Sequence, residues 1–161
     1  MRKEQLPALK GLKLGMTFEE VRAKWPDAEA PTWQNKSSVR LVGDGADATG
    51  ELKFYKGKLY QFTIFYSEFA GGLKGIAFRK KMEDFLGLKD EEREIGGLLA
   101  DTDWSCNGFS VHTGADADTY QYVVSDSTIR IKDTDASRQM KDEERREEAQ
   151  REQEKADQFK P

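Results

Sequence analysis

The stretch ELKFYKGKLYQFTIFYSEF, residues 51–69, decides the fold class. Leu52 and Phe54 alternate with polar neighbours. Lys56 and Gly57 then mark a tight turn, and a return run extends from Leu59 to about Tyr66. A period of two places Tyr60, Phe62, Ile64 and Tyr66 on one face and Leu59, Gln61, Thr63 and Phe65 on the other. The pattern predicts an antiparallel hairpin with a core side and a wetter side.

Upstream, GLKLGMTFEEVRAKWP (residues 11–26) reads as a short, well-bounded helix. Thr17 fits the N-cap, where its hydroxyl accepts from a free first-turn N–H. Glu20, three residues on, suits a capping box, and Met16 with Val21 suits a hydrophobic staple. Phe18, Val21 and Trp25 fall on one face, and Pro26 ends the helix. Residues 6–16 read as a lead-in segment or short edge strand, and Arg40–Val42 as a strand.

Downstream, LKGIAFRKKMEDFLGL (73–88) predicts a second helix, with Phe78, Met82, Phe85 and Leu86 at helical spacing and Gly87 as its C-terminal cap. Asp90 starts a further helical piece through Leu99. Three strands are then expected: WSCNGFSVHT (104–113), TYQYVVS (119–125) and TIRIKD (128–133). A helix followed by a hairpin or meander thus occurs twice. The fold class is α+β: an antiparallel sheet with helices packed on one face, two helix-plus-strands repeats, and a charged C-terminal helix. Residues 1–135 form one domain. Residues 136–161 form a charged helical tail with too few apolar residues for an amphipathic stripe.

Charge and composition exclude several function classes. A net charge of −4 argues against general nucleic-acid affinity and against a polybasic membrane surface. No apolar run reaches the roughly 20 residues of a membrane span, so no direct membrane insertion is expected. Cys106 is the one cysteine, which leaves no intrachain disulfide. The N-terminus lacks an apolar leader, so the chain as it stands reads as cytoplasmic, and as periplasmic if a leader has been removed.

Candidates for chemistry are few. His112 is the one histidine, and alternation with Phe109 and Val111 puts it on the solvated face. No nucleophile motif accompanies it. Cys106 lies near Asp101 and Asp103, which oppose thiolate formation. Three acidic loops, at Asp44 and Asp47, Asp116 and Asp118, and Asp133 and Asp135, lack EF-hand spacing and read as turns. Glycines at 43, 45 and 50, and at 71, 72 and 75, make no phosphate-binding fingerprint. No catalytic residue, metal ligand or cofactor is assigned.

The aromatic residues suggest recognition instead. Five tyrosines cannot all bury their hydroxyls without partners. Tyr55, Tyr60, Tyr66, Tyr120 and Tyr122, with Trp33, are the candidate binding residues, and a protein is the expected partner.

ALKGLKLGMTFEEVRAKWPDA (8–28) and LKFYKGKLYQFTIFY (52–66) together resemble the opening helix and following hairpin of the SmpA/OmlA group, the BamE-like lipoprotein domains. More loosely, the chain resembles the β-lactamase-inhibitor-protein type of fold. The resemblance spans residues 8–132. It implies a small sheet with helices on one face and a non-enzymatic binding or scaffold module of a bacterium or its phage. It carries over no catalytic residue. The chain departs from the pattern in lacking a lipidated N-terminal cysteine, in KDEEREIGGLLADTD (89–103), and in the charged tail. Two other functions are expected to compete with this one: inhibition of another protein, and a small enzyme using His112 with an acidic loop.

Overall fold

The computed structural model describes residues 1–32, 34–43, 47–66, 75–89, 93–95, 102–114 and 127–161. The hairpin forms at its centre. Strands β2 (Ala48–Tyr55) and β3 (Lys58–Tyr66) pair antiparallel around Lys56 and Gly57. Both turn residues have positive φ, at 51° and 75°. That is the two-residue turn whose twist matches the strands. The same device recurs at Lys10 (φ 52°) and Gly11 (φ 77°), where Leu9 and Leu12 exchange backbone hydrogen bonds of 3.0 and 2.9 Å. The lead-in segment is therefore a miniature hairpin.

A β-bulge corrects the expected faces of the hairpin. Lys53 pairs with Gln61, Phe54 pairs with Leu59, and Tyr60 is the extra residue between them. Leu59 consequently lies on the core side opposite buried Phe54. Tyr60 leaves the face of Phe62, Ile64 and Tyr66. Strict alternation fails because the bulge consumes one residue.

Strand β1 (Lys36–Leu41) pairs along β2 and starts four residues before the expected Arg40. The remaining strands among the described residues are β4 (Arg93–Ile95), β5 (Thr102–Ser105), β6 (Phe109–Thr113) and β7 (Thr128–Asp133). The seven lie in the order β1-β2-β3-β7-β6-β5-β4, and every pairing is antiparallel. Helix α1 (Phe18–Lys24) precedes β1–β3, and α2 (Gly75–Leu86) precedes β4–β7. The last strands of the two units, β3 and β7, pair in the middle of the sheet.

Two sequence expectations are corrected here. Residues 104–113 are not one strand but a hairpin that turns at Cys106–Gly108, where Gly108 takes φ 85° and Cys106 N–H donates to Phe109 C=O at 2.9 Å. The helical piece expected from Asp90 contains β4 instead, because Arg93–Ile95 gains a ladder against Thr102–Trp104. The expected strand 119–125 lies outside the described residues.

Both short helices cover one face. Phe18 meets Phe54 edge-on at 6.1 Å, and Phe78 meets Tyr66 edge-on at 5.6 Å. Phe54 and Tyr66 belong to the same core side of the hairpin. The Thr17 hydroxyl accepts from Glu20 N–H at 3.2 Å, so the cap forms as expected, though only this half of the capping box is made. Helix α2 ends in a Schellman motif. Gly87 (φ 68°) donates to Asp84 C=O, and Leu88 donates to Glu83 C=O. Phe78, Met82 and Leu86 are buried one turn apart, while Phe85, expected with them, is 51% exposed.

Among the described residues, two buried threonines gain nothing from their hydroxyls. Thr102 and Thr113 are directly paired across β5 and β6 and buried, and neither hydroxyl has a hydrogen-bond partner. An unmatched buried hydroxyl costs about 1–3 kcal/mol, and an apolar group of the same shape removes that cost. Thr113→Val is therefore expected to stabilise the protein by about 1 kcal/mol in urea denaturation. A loss of stability would show that the hydroxyl is satisfied in solution.

Helix α3 (Thr134–Gln158) leaves the end of β7. Asp133 caps it by accepting from Ala136 N–H at 3.0 Å, and also holds Lys3 Nζ at 2.9 Å. That ion pair ties the N-terminus to the helix and raises the Lys3 pKa. Ser137 is buried, and Glu143 pairs with Lys56 of the hairpin turn at 2.9 Å. From Glu144 onward every helical residue is exposed. Roughly 20 Å of charged helix therefore projects from the body. No helix of the described residues is long and apolar enough to cross a membrane.

Candidate functional site

With α1 and α2 on one side of the sheet, most of the charged and polar residues of its strands fall on the other. Paired residues in an antiparallel sheet share a face, so the registers place two transverse rows there. The first row runs Ser38, Glu51, Thr63, Arg130, His112, Asp103 across six strands. The second runs Lys36, Lys53, Gln61, Lys132, Ser110, Ser105. Charge is thus concentrated on one continuous surface.

The β1–β3 end of these rows forms a groove of about 380 Å³. Lys36, Glu51, Lys53 and Gln61 line it, and buried Thr63 lies among them. Glu29 enters from the segment before β1, where its carboxylate accepts from the Ser38 hydroxyl at 2.9 Å. Lys36 and Lys53 stand directly opposite each other. Like charges in that position repel and cost stability. Among the described residues neither has a carboxylate within 4.0 Å.

At the other end, His112 Nδ1 lies 2.8 Å from Asp103 Oδ1. His112 is on the face that alternation predicts, but its side chain is only 14% exposed. Its carboxylate partner comes from the neighbouring strand β5, not from any of the three acidic loops. Of those loops, Asp133 is the α3 cap, and Asp47 accepts from Gly43 N–H at 3.3 Å. Asp44, Asp116 and Asp118 lie outside the described residues. Among the described residues no cluster of three or more His, Cys, Asp or Glu could hold a metal ion. Cys106 is half-buried in the β5–β6 turn.

The tyrosines expected to form one surface are not brought together. Tyr55 pairs with Lys58, and the Lys56 ammonium sits 5.3 Å from its ring centre. The Glu143 carboxylate beside Tyr55 raises its pKa, so this cluster serves to seat α3 on the hairpin tip. Tyr60 is half-buried, and its pKa rises through burial, with the Glu144 charge adding to it. Tyr66 packs on the opposite, helix-covered side. Tyr120, Tyr122 and Trp33 lie outside the described residues.

Burial pushes the Tyr66 phenol up to about 12. An unfolded tyrosine ionises near 10, so above that pH the unfolded chain loses its proton first. Stability contributed by neutral Tyr66 is present below about pH 10 and lost as pH rises toward the folded value. Chemical denaturation across that alkaline window is expected to show this loss, and Tyr66→Phe is expected to flatten it.

The sequence reading missed Lys36, Glu51, Lys53 and Gln61. The Lys56-Gly57 turn alone would pair Lys53 with Tyr60 and Glu51 with Phe62; only the bulge at Tyr60 aligns Lys53 with Gln61 and Glu51 with Thr63. The Lys36–Lys53 pairing was illegible because β1 was placed too late in the chain.

Comparison with known proteins gives no matching family model, no matching curated protein and no matching solved structure.

Proposed function

We propose that this chain is a non-enzymatic protein-binding module that recognises its partner through the polar face of its sheet. One observation carries the reading: Lys36 and Lys53 are held directly opposite each other in an open groove, and among the described residues neither has a carboxylate within 4.0 Å. This arrangement works against folding, so it fits a surface whose charges are neutralised by something else. Glu51 and Glu29 in the same groove favour a partner bearing both signs, which is the chemistry of a protein surface more than of a small anion. The resemblance of residues 8–132 to the SmpA/OmlA group points the same way. An inhibitor of another protein would use the same surface and the same physics.

The test is quantitative affinity capture with mass spectrometry, run beside a turnover screen on a small-molecule library. The reading expects one reproducible protein partner and no turnover. Turnover with no partner above control would sink it.

A second reading, a small enzyme using His112, is favoured by the His112–Asp103 contact of 2.8 Å. A carboxylate that orients an imidazole is one part of a general base. Any turnover found should then vanish in His112→Ala. Turnover that persists in that variant removes this reading.

A further inference from the structure

The helix-covered side holds a separate feature that the polar-face reading does not use. A cleft of about 760 Å³ opens between the tight turn at Leu9–Leu12, the end of α1 and helix α2. Its apolar lining includes Trp25, Val42, Tyr66 and Phe85. Val42 is 54% exposed and Phe85 51%, two of the four exposed large hydrophobics among the described residues. Phe78, Met82 and Leu86 already supply the core contacts of α2, so folding does not need an aromatic residue at position 85.

The charged residues of the cleft are of one sign. Lys10, Lys24 and Lys81 line it, and no lining residue is acidic. Among the described residues none of the three has a carboxylate within 4.0 Å, although acids outnumber bases in the chain. Lys3 and Lys56, by contrast, are paired with Asp133 and Glu143.

The cationic wall is built with some strain. Lys10 sits at φ 52°, a left-handed backbone unfavourable for lysine. Trp25 Nε1 donates to its carbonyl at 2.8 Å and holds the turn. A Cβ at Gly11 would stand 3.1 Å from Lys24 Cδ, so the Lys24 stem lies against the turn. Lys10 and Lys24 therefore share one wall, and Lys81 stands on the α2 wall.

We propose that this cleft docks an acidic amphipathic helix of a partner protein. Apolar side chains on one stripe of that helix enter between Trp25, Val42 and Phe85. Carboxylates flanking the stripe reach the lysines on the two walls. This is the helix-in-groove mode, with charge setting the partner's sign. A lone amphiphilic anion such as a fatty acid has one head group and would engage one wall. The proposal is independent of the polar-face reading, because it uses the other side of the sheet.

The probe is a fluorescein-labelled synthetic helix of about 18 residues with leucines at three- and four-residue spacing and glutamates elsewhere. Binding to the full chain is read by fluorescence anisotropy. Saturable binding is expected, weakened by salt, and lowered about tenfold or more in Lys24→Glu/Lys81→Glu and in Phe85→Ser. All three positions are exposed, so circular dichroism and melting temperature should match the parent and exclude misfolding. Absence of binding, equal binding by the variants, or equal binding of a peptide with lysines in place of glutamates would overturn the proposal. So would tighter binding of laurate, or of phosphatidylserine vesicles, at the same residues. Sedimentation velocity adds a last check: self-association removed by the same substitutions would assign the cleft to a second copy and end the partner-helix assignment.

Discussion

Phe62→Ala is expected to destabilise the protein by about 3–5 kcal/mol and to lower its melting temperature by about 10 °C or more. Phe62 is buried on β3, an interior strand, between Leu52 on β2 and Ile131 on β7. Both neighbours are buried, so the cavity left by the ring cannot fill with water at low cost. The substitution also tests the bulged register. Phe65, three residues on, belongs to the opposite face and is only half-buried, so Phe65→Ala should cost much less. Similar costs at the two positions would mean that the faces of β3 are assigned wrongly.

Leu12→Ala comes second, with an expected loss of about 2–5 kcal/mol. Leu12 has no exposed surface, and its Cδ1 lies 3.8 Å from where a Cβ on Gly50 would stand. It reaches there because the left-handed pair Lys10 and Gly11 reverses the chain and returns Leu12 onto β2. If residues 6–16 were only a lead-in, the truncation would cost under about 1 kcal/mol, the range of a surface change. Guanidinium denaturation separates the two outcomes. Gly50→Ala provides a companion measurement, since its Cβ would stand 2.8 Å from Val39 Cγ1. Its penalty should shrink in the Val39→Ala background, because the two sites share one space.

Much of the fold is legible wherever local chemistry is decisive. The Lys56-Gly57 turn, the Thr17 cap and the Gly87 stop each depend on residues within four positions of one another, and each forms at the expected place. The long-range features were less legible. Nothing local announces that Tyr60 is a bulge, because its neighbours alternate as an ideal strand would. Arg93–Ile95 is short and charged, and only the ladder offered by β5 makes it a strand. Phe85 fits the apolar period of α2 and is nevertheless exposed, since the core contact is met by residues one turn apart at 78, 82 and 86.

The candidate site was less legible than the fold. Tyrosines draw attention by type, yet Tyr55 and Tyr66 have structural partners in Glu143, Lys56 and Phe78. The residues that now define the groove are ordinary lysines, a glutamate and a glutamine. Their significance lies in being opposite one another, which is a property of register and not of residue type. His112 was placed on the right face, but its partner Asp103 could be found only once residues 102–113 were known to fold as a hairpin.

The most direct test of polar-face recognition is a binding titration of the captured partner against Lys36→Glu/Lys53→Glu. Reversing both charges should lower affinity about tenfold or more, while two glutamates opposite each other repel as two lysines do, so the fold should be kept. Unchanged affinity in that variant, with the fold intact by circular dichroism, would contradict the account and move recognition to another surface.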